Sequence, residues 1–399
     1  MPNVSRRKFV AGTAVAGAAV AAASLAGCST TSEETTSFSG EPQVITDDSK
    51  VIDVTETYEV VDETLQPQAS WTLPSGTIPF HCEGAWAALF MAPESARSVN
   101  TLGIVSLATG NWSELISKPT QGGAFAFHDV RCTETVYAWV EVNYTTGDWM
   151  LFAQSLANGV LTGEAMQLDE GNADWEPARL TAAGSSVIWQ KMPLASGSKR
   201  SESSHCLIWT VGDSESTDLY ESPGRFATWP RTCDGILTIA PRVNADEGTY
   251  YGITALDLAS DSATPYDQMV MPETVRPFEA VYMGSSFAFS VEANYGYGGS
   301  LGNMGSFIGR EGGPFVYLGR EPMACIAGKG SRYLIKVRSS HIVVDTEAQT
   351  YAYLSAPDRT LEYGDYPASE GTTDRFVTYA TVRGEDDTSM SVLMRVFAL

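Results

Sequence analysis

The chain has 399 residues, with 48 acidic against 25 basic side chains and a formal charge of −23. So acidic a surface excludes a nucleic-acid binder, whose phosphate contacts need Lys and Arg, and a protein that lies flat on an anionic bilayer. A content of 43% hydrophobic and 10% aromatic residues excludes a disordered acidic polymer, because it is enough to fill a large core.

The first element is a targeting segment. Arg6, Arg7 and Lys8 precede an Ala-, Gly- and Val-rich apolar run from Phe9 to Leu25, which ends in Leu25-Ala26-Gly27-Cys28. A charged start, an apolar middle and a small-residue cleavage site make a secretory signal. The pattern S-R-R-x-F-V at residues 5–10 resembles twin-arginine signals, and L-A-G-C resembles the bacterial lipoprotein box. The resemblance implies an export role for Arg6 and Arg7, lipid attachment at Cys28, and a place on the outer side of a membrane in the cell envelope. The same run is also about long enough to span a bilayer as an uncleaved helix. Cleavage before Cys28 leaves 22 basic against 48 acidic groups, a net charge of −26.

Residues 28–50 are rich in Ser, Thr, Glu and Asp. They have little to bury, so a disordered tether is expected. The predicted organisation is a signal peptide at 1–27, the lipidated Cys and flexible linker at 28–50, and one folded domain at 51–399. Beyond Cys28 there are five cysteines: Cys82, Cys132, Cys206, Cys233 and Cys325. An odd number leaves at least one unpaired within the chain. No C-x-x-C occurs, so no cysteine zinc site, and no cofactor of any kind, is expected.

From residue 86 onward the chain repeats. Ala87, Tyr137, Val187, Leu237, Phe287, Tyr333 and Val377 sit in similar short apolar strands, at intervals of 50, 50, 50, 50, 46 and 44 residues. Two positions after each lies another apolar residue, from Leu89 and Trp139 to Ile335 and Tyr379. A period of two marks a strand packed on one face. Four strands per unit of this length is the spacing of a propeller blade. The expected fold is therefore an all-β, seven-bladed β-propeller. Its last unit lacks an outer strand, and residues 51–60 (VIDVTETYEV) are expected to supply it and close the ring. Six blades plus an irregular element is the structural alternative. Small or Asp-Gly turns before the second strand, at Gly184, Asp234-Gly235 and Gly284, resemble the TolB-type and WD-like propellers of bacterial envelope proteins. That resemblance implies a fold and no particular function.

The innermost strands should line a channel and offer His128, Asp129, Arg131, Trp175, Arg179, Trp229, Arg231 and Glu279. Arginine forks onto carboxylate or phosphate, and tryptophan covers a sugar or an apolar group. A site for a polar or anionic ligand is one expectation, with Arg131, Trp175, Arg179, Trp229, Arg231 and Glu279 as its residues. Ion pairs that staple neighbouring blades, through Asp129 and Glu279, are the other. The loops between second and third strands are long in units three, four and five. Long loops on a rigid scaffold carry binding. Gly298-Gly299-Ser300-Leu301-Gly302 matches the G-x-S-x-G hydrolase motif in letters only, because that motif needs a strand–turn–helix setting. The four histidines lack metal-ligand spacing, and the acidic run at 169–174 lacks the alternating oxygens of a calcium loop. The function expected is a membrane-anchored scaffold that binds a protein or small polar ligand. The alternative is a carbohydrate-active enzyme with carboxylates at the channel mouth.

Overall fold

The computed structural model describes Val44 and residues 50–399, apart from Glu94, Ala96, Arg97, Ala245, residues 261–264 and Tyr363. Arg6, Arg7, Cys28, the signal at 1–27 and almost all of the linker lie outside the described residues. Among the described residues no helix is long and apolar enough to cross a membrane.

The chain folds as an all-β propeller. Six blades are built from consecutive strands. Blade one holds Ile78–Phe80, Trp86–Met91, Thr101–Ser106 and Trp112–Ile116. Blade two, Ala126–Gly171, and blade three, Arg179–Ser222, are antiparallel sheets of four strands in sequence order. Blade four spans Arg231–Val270, blade five Glu279–Leu318 and blade six Ala327–Ser355. The repeat residues Ala87, Tyr137, Val187, Leu237, Phe287 and Tyr333 all fall on the second strand of their blade and are buried. A pleated strand held between two neighbouring sheets buries both of its faces, so its residues are apolar on each side.

The expectation of seven like blades with a ring closed by residues 51–60 is corrected. The chain does not make a seventh blade of its own. The last sheet is composite: Asp365–Pro367, Arg375–Arg383 and Ser389–Ala398, with Pro67–Pro74 on its outer edge. Residues 51–60 go elsewhere. Val51–Asp53 pairs in parallel with Phe315–Tyr317 of blade five, and Glu59–Val60 with Thr350–Tyr351 of blade six. Between them is one helical turn, Val54–Thr57, capped by Asp53, whose carboxylate accepts from the Thr55 amide at 2.8 Å. Val54 is fully buried and packs with Tyr58 and Ile52 between blades five and six. The physical reason is that any outer strand offers a free ladder. A strand-like segment takes the edge where its apolar residues also find a crevice.

Hydrophobic clusters fill the spaces between successive sheets. Trp139 and Phe127 pack with Leu102 and Ile104 between blades one and two. Trp149 and Trp189 occupy the space between blades two and three. The composite sheet packs on blade six through Phe376 and Phe397, and on blade one through Leu73, Val392 and Met394.

Candidate functional site at the propeller axis

The first strand of each sheet faces the axis. Because strand direction alternates, the loops between second and third strands share one face with the connections between blades. The turns between first and second strands lie on the other. The long loops, 192–203, 240–249 and 292–304, are therefore together on the first face, as expected. Ser300 lies in a single 3-10 turn, Gly299–Gly302, between antiparallel strands. It has no strand–turn–helix setting, so it is not a hydrolase nucleophile.

On the short-turn face, residues 369–374 leave the composite sheet and cross the axial space. Gly371 and Thr372 pair in parallel with Ala327 and Gly328 of blade six. The Thr372 amide meets the Cys233 sulfur of blade four at 3.1 Å. Ser369 Oγ contacts His81 Nδ1 of blade one at 3.0 Å. Gly371 has φ +66, and a Cβ there would lie 3.1 Å from Cys233 Cβ and 3.3 Å from Val281. A positive φ in so tight a space favours glycine. From blade one, Glu83 reaches across to accept from the Gly184 amide of blade three at 2.6 Å. A cavity of about 300 Å³ remains between these two crossing segments.

Above this plug the charged groups interlock. Arg231 forks onto Glu279, with Nε to Oε2 at 3.1 Å and Nη2 to Oε1 at 2.9 Å, and its Nη1 reaches Glu370 at 2.7 Å. Burial opposes the Arg231 charge, but Glu279 and Glu370 outweigh it and hold the guanidinium well above its ordinary pKa. Burial pushes the Glu279 carboxyl up, against the pull of Arg231. Arg131 pairs with Asp129 and donates to the Val130 carbonyl at 2.7 Å. Its guanidinium lies 4.3 Å from the Phe80 ring centre and 5.7 Å from that of Trp229. Arg179 approaches the same Trp229 ring at 5.8 Å.

Glu176 is shared. It accepts from Arg179 at 3.2 Å and from Arg225, which also donates to the Pro193 carbonyl. Burial pulls the Arg179 pKa down; Glu176 offsets it, and neighbouring Arg225 and Arg276 add repulsion. Arg276 donates to the Ala227 carbonyl at 3.3 Å. These side chains lie toward the long-loop face and keep partial exposure: 18% for Arg179, 21% for Glu176 and 23% for Arg225.

The structure thus brings Arg131, Arg179, Trp229, Arg231 and Glu279 together around the axis. Trp175 belongs to a separate cleft at the edge of blade two, and His128 bonds to the loop residue Tyr144 at 2.9 Å. Sequence reasoning missed Glu176, Arg225, Arg276 and Glu370. The first three follow one another at intervals of 49 and 51 residues, so the repeat itself places them on equivalent connections. Glu370 carries no such signal, because its segment departs from the blade pattern. The five cysteines among the described residues are free thiols. Burial raises their pKa, to about 11 for Cys82, and Cys132, Cys233 and Cys325 are raised as well. None is a ready nucleophile. Among the described residues no group of three His, Cys, Asp or Glu side chains is placed to hold a metal ion.

No family model and no curated protein matches the chain. Solved structures do, at the level of fold. The β-propeller domain of the Trilobed protease from Pyrococcus furiosus, described as having an open velcro topology, aligns with a TM-score of 0.50 and 11% identity. The alignment covers 85% of this chain and 95% of that one. An acylaminoacyl peptidase from Pyrococcus horikoshii aligns with a TM-score of 0.50 and 11% identity over 82% of this chain, and a prolyl endopeptidase with 0.50 and 10% over 82%. This chain spans about half the length of those two peptidases, at 51% and 50%. The protein is a β-propeller with structural neighbours among propeller peptidases. The likeness is one of fold, which leaves function to the site. The only α-helix among the described residues has four residues, so those residues contain no α/β-hydrolase domain.

Proposed function

We propose that this protein is an extracytoplasmic propeller, exported through the signal at Arg6 and Arg7, anchored to a membrane by lipid on Cys28, and acting as a binding scaffold without chemistry of its own. The observation that carries the binding reading is the group Arg179, Glu176 and Arg225 with Arg276 beside it. Two arginines share Glu176 there and the third, Arg276, adds repulsion on Arg179, on the face with the long loops, in a chain of charge −23. Arg179 has N–H groups with no protein acceptor among the described residues. One carboxylate or phosphate group, free or displayed by a partner protein, fits that surplus. The carboxylates Glu279 and Glu370 are both held by Arg231, which disfavours a free acid–base pair at the axis and hence the glycosidase alternative.

The test is thermal unfolding of the full chain with succinate or inorganic phosphate. A ligand at 100 times its Kd stabilises by about 2.7 kcal/mol. Succinate or phosphate should raise the unfolding midpoint of the parent protein, and Arg179→Gln with Arg276→Gln should abolish the rise. No rise with either anion in the parent protein would remove the small-anion reading.

A further inference from the structure

Away from the axis, Trp175 lines a second cleft. It measures about 370 Å³ and opens on the long-loop face at the edge of blade two, within the size range of small-molecule sites, about 300–1,000 Å³. Phe125, Met150 and Trp175 supply apolar wall. Asp148, Glu170 and Asn172 supply polar edge. Each polar group is half used. Asp148 Oδ2 accepts from the Thr146 hydroxyl at 2.7 Å, Glu170 Oε2 from Gln167 at 2.9 Å, and Asn172 Oδ1 from the Asp174 amide at 3.0 Å. That leaves one acceptor oxygen on each carboxylate and the donor NH2 of Asn172 without a protein partner among the described residues. The neighbouring Asp169 is fully engaged, with Trp189 at 2.9 Å and Lys191 at 2.5 Å, and so takes no part.

The charge pattern narrows the ligand. Two carboxylates repel an anion. A further cation is disfavoured, because the Lys191 and Lys199 ammonium groups already lie 5.5 and 5.1 Å from the Trp175 ring centre. A wholly apolar ligand would strip water from Asp148 and Glu170 and give nothing back. A neutral molecule with a C–H face for the aromatic wall and hydroxyls at its edge meets every requirement, since a hydroxyl both donates and accepts. We infer that this cleft binds a neutral saccharide. The site is separate from the arginine group: the two residues that mark them, Trp175 and Glu176, are adjacent in the chain, and each belongs to its own set of contacts.

The experiment is saturation-transfer NMR and tryptophan fluorescence on the full chain with cellobiose, maltose and N,N′-diacetylchitobiose, with spermidine as the cationic probe. At least one disaccharide should bind. Trp175→Ala should weaken it about tenfold or more, as loss of a central aromatic contact does, and Trp175→Phe should restore part of the affinity. Binding of no disaccharide, unchanged affinity in Trp175→Ala, or binding of spermidine in their place would overturn the inference. The succinate response is read on the same Trp175→Ala protein. Loss of saccharide binding with that response retained separates this site from the axial one, and a parent protein that binds saccharide but not succinate fails only the axial reading.

Discussion

Asp365 and His341 sit in one buried group with Lys336, near the join of blade six and the composite sheet, and they respond to pH in opposite senses. The Leu361 amide donates to Asp365 Oδ2 at 3.3 Å, and His341 Nδ1 lies 3.2 Å from the Leu361 carbonyl. Burial raises the Asp365 pKa to about 6 from 3.8. The native state then holds a proton between those values that the unfolded state has released, so stability falls as pH rises from about 4 to 6. Burial, with repulsion from Lys336, lowers the His341 pKa to about 3 from 6.5. Here the unfolded state holds the proton, so stability falls as pH drops from about 6.5 to 3. The two shifts correspond to on the order of 3 and 5 kcal/mol, and between about pH 4 and 6 their slopes cancel. Asp365→Asn removes one slope only. Its unfolding free energy in urea should therefore gain about 1.4 kcal/mol per pH unit across that window relative to the parent protein. Parallel pH profiles for the two proteins would refute the assignment. Neither residue was legible in the sequence as special. Burial of a polar side chain depends on what packs over it, and strand periodicity does not report that.

At the scale of the element, the segment 369–374 decides how the axis is filled. Gly371 is its pivot, with φ +66 and a tight 3.1 Å clearance for a methyl group beside Cys233. Gly371→Ala should cost about 1–3 kcal/mol through backbone strain alone, read as a lower urea midpoint with an unchanged slope. Gly330→Ala is the control, since it has a similar φ of +59 but open space around it. A loss no larger than the control's would mean that the contact with Cys233 relaxes freely. The regular strands were legible because two-residue alternation and a near-constant interval both come from the blade itself. The crossing segment was not, because its pairing partners lie on blades four and six, far away in sequence. The segment 51–60 has a strand-like composition, yet it forms two short strands around a helical turn and does not close the ring. Its composition suits any free ladder, and the buried position of Val54 selected the one it took.

For the whole molecule, the sequence made the propeller and its second strands plain, together with most of the axial residues. It left open how the two ends of the repeat array are finished, and the answer is six blades of consecutive strands, two of them with a strand added from residues 51–60, and one composite sheet. The proposed address is tested at the same scale. Expressed in a bacterium with lipoprotein processing, the full chain should fractionate with membranes, and Cys28→Ser should shift most of it to the soluble fraction. Retention of the variant in the membrane would favour an uncleaved helix over a lipid. The composite sheet also sets a clock. Pro67–Pro74 leaves the ribosome more than 300 residues before its partner, Ser389–Ala398. At about 5–20 residues per second, that is a wait of roughly 15–60 s. The last sheet cannot assemble until Ser389–Ala398 has emerged, so its completion belongs to the compartment where these two segments are free to meet.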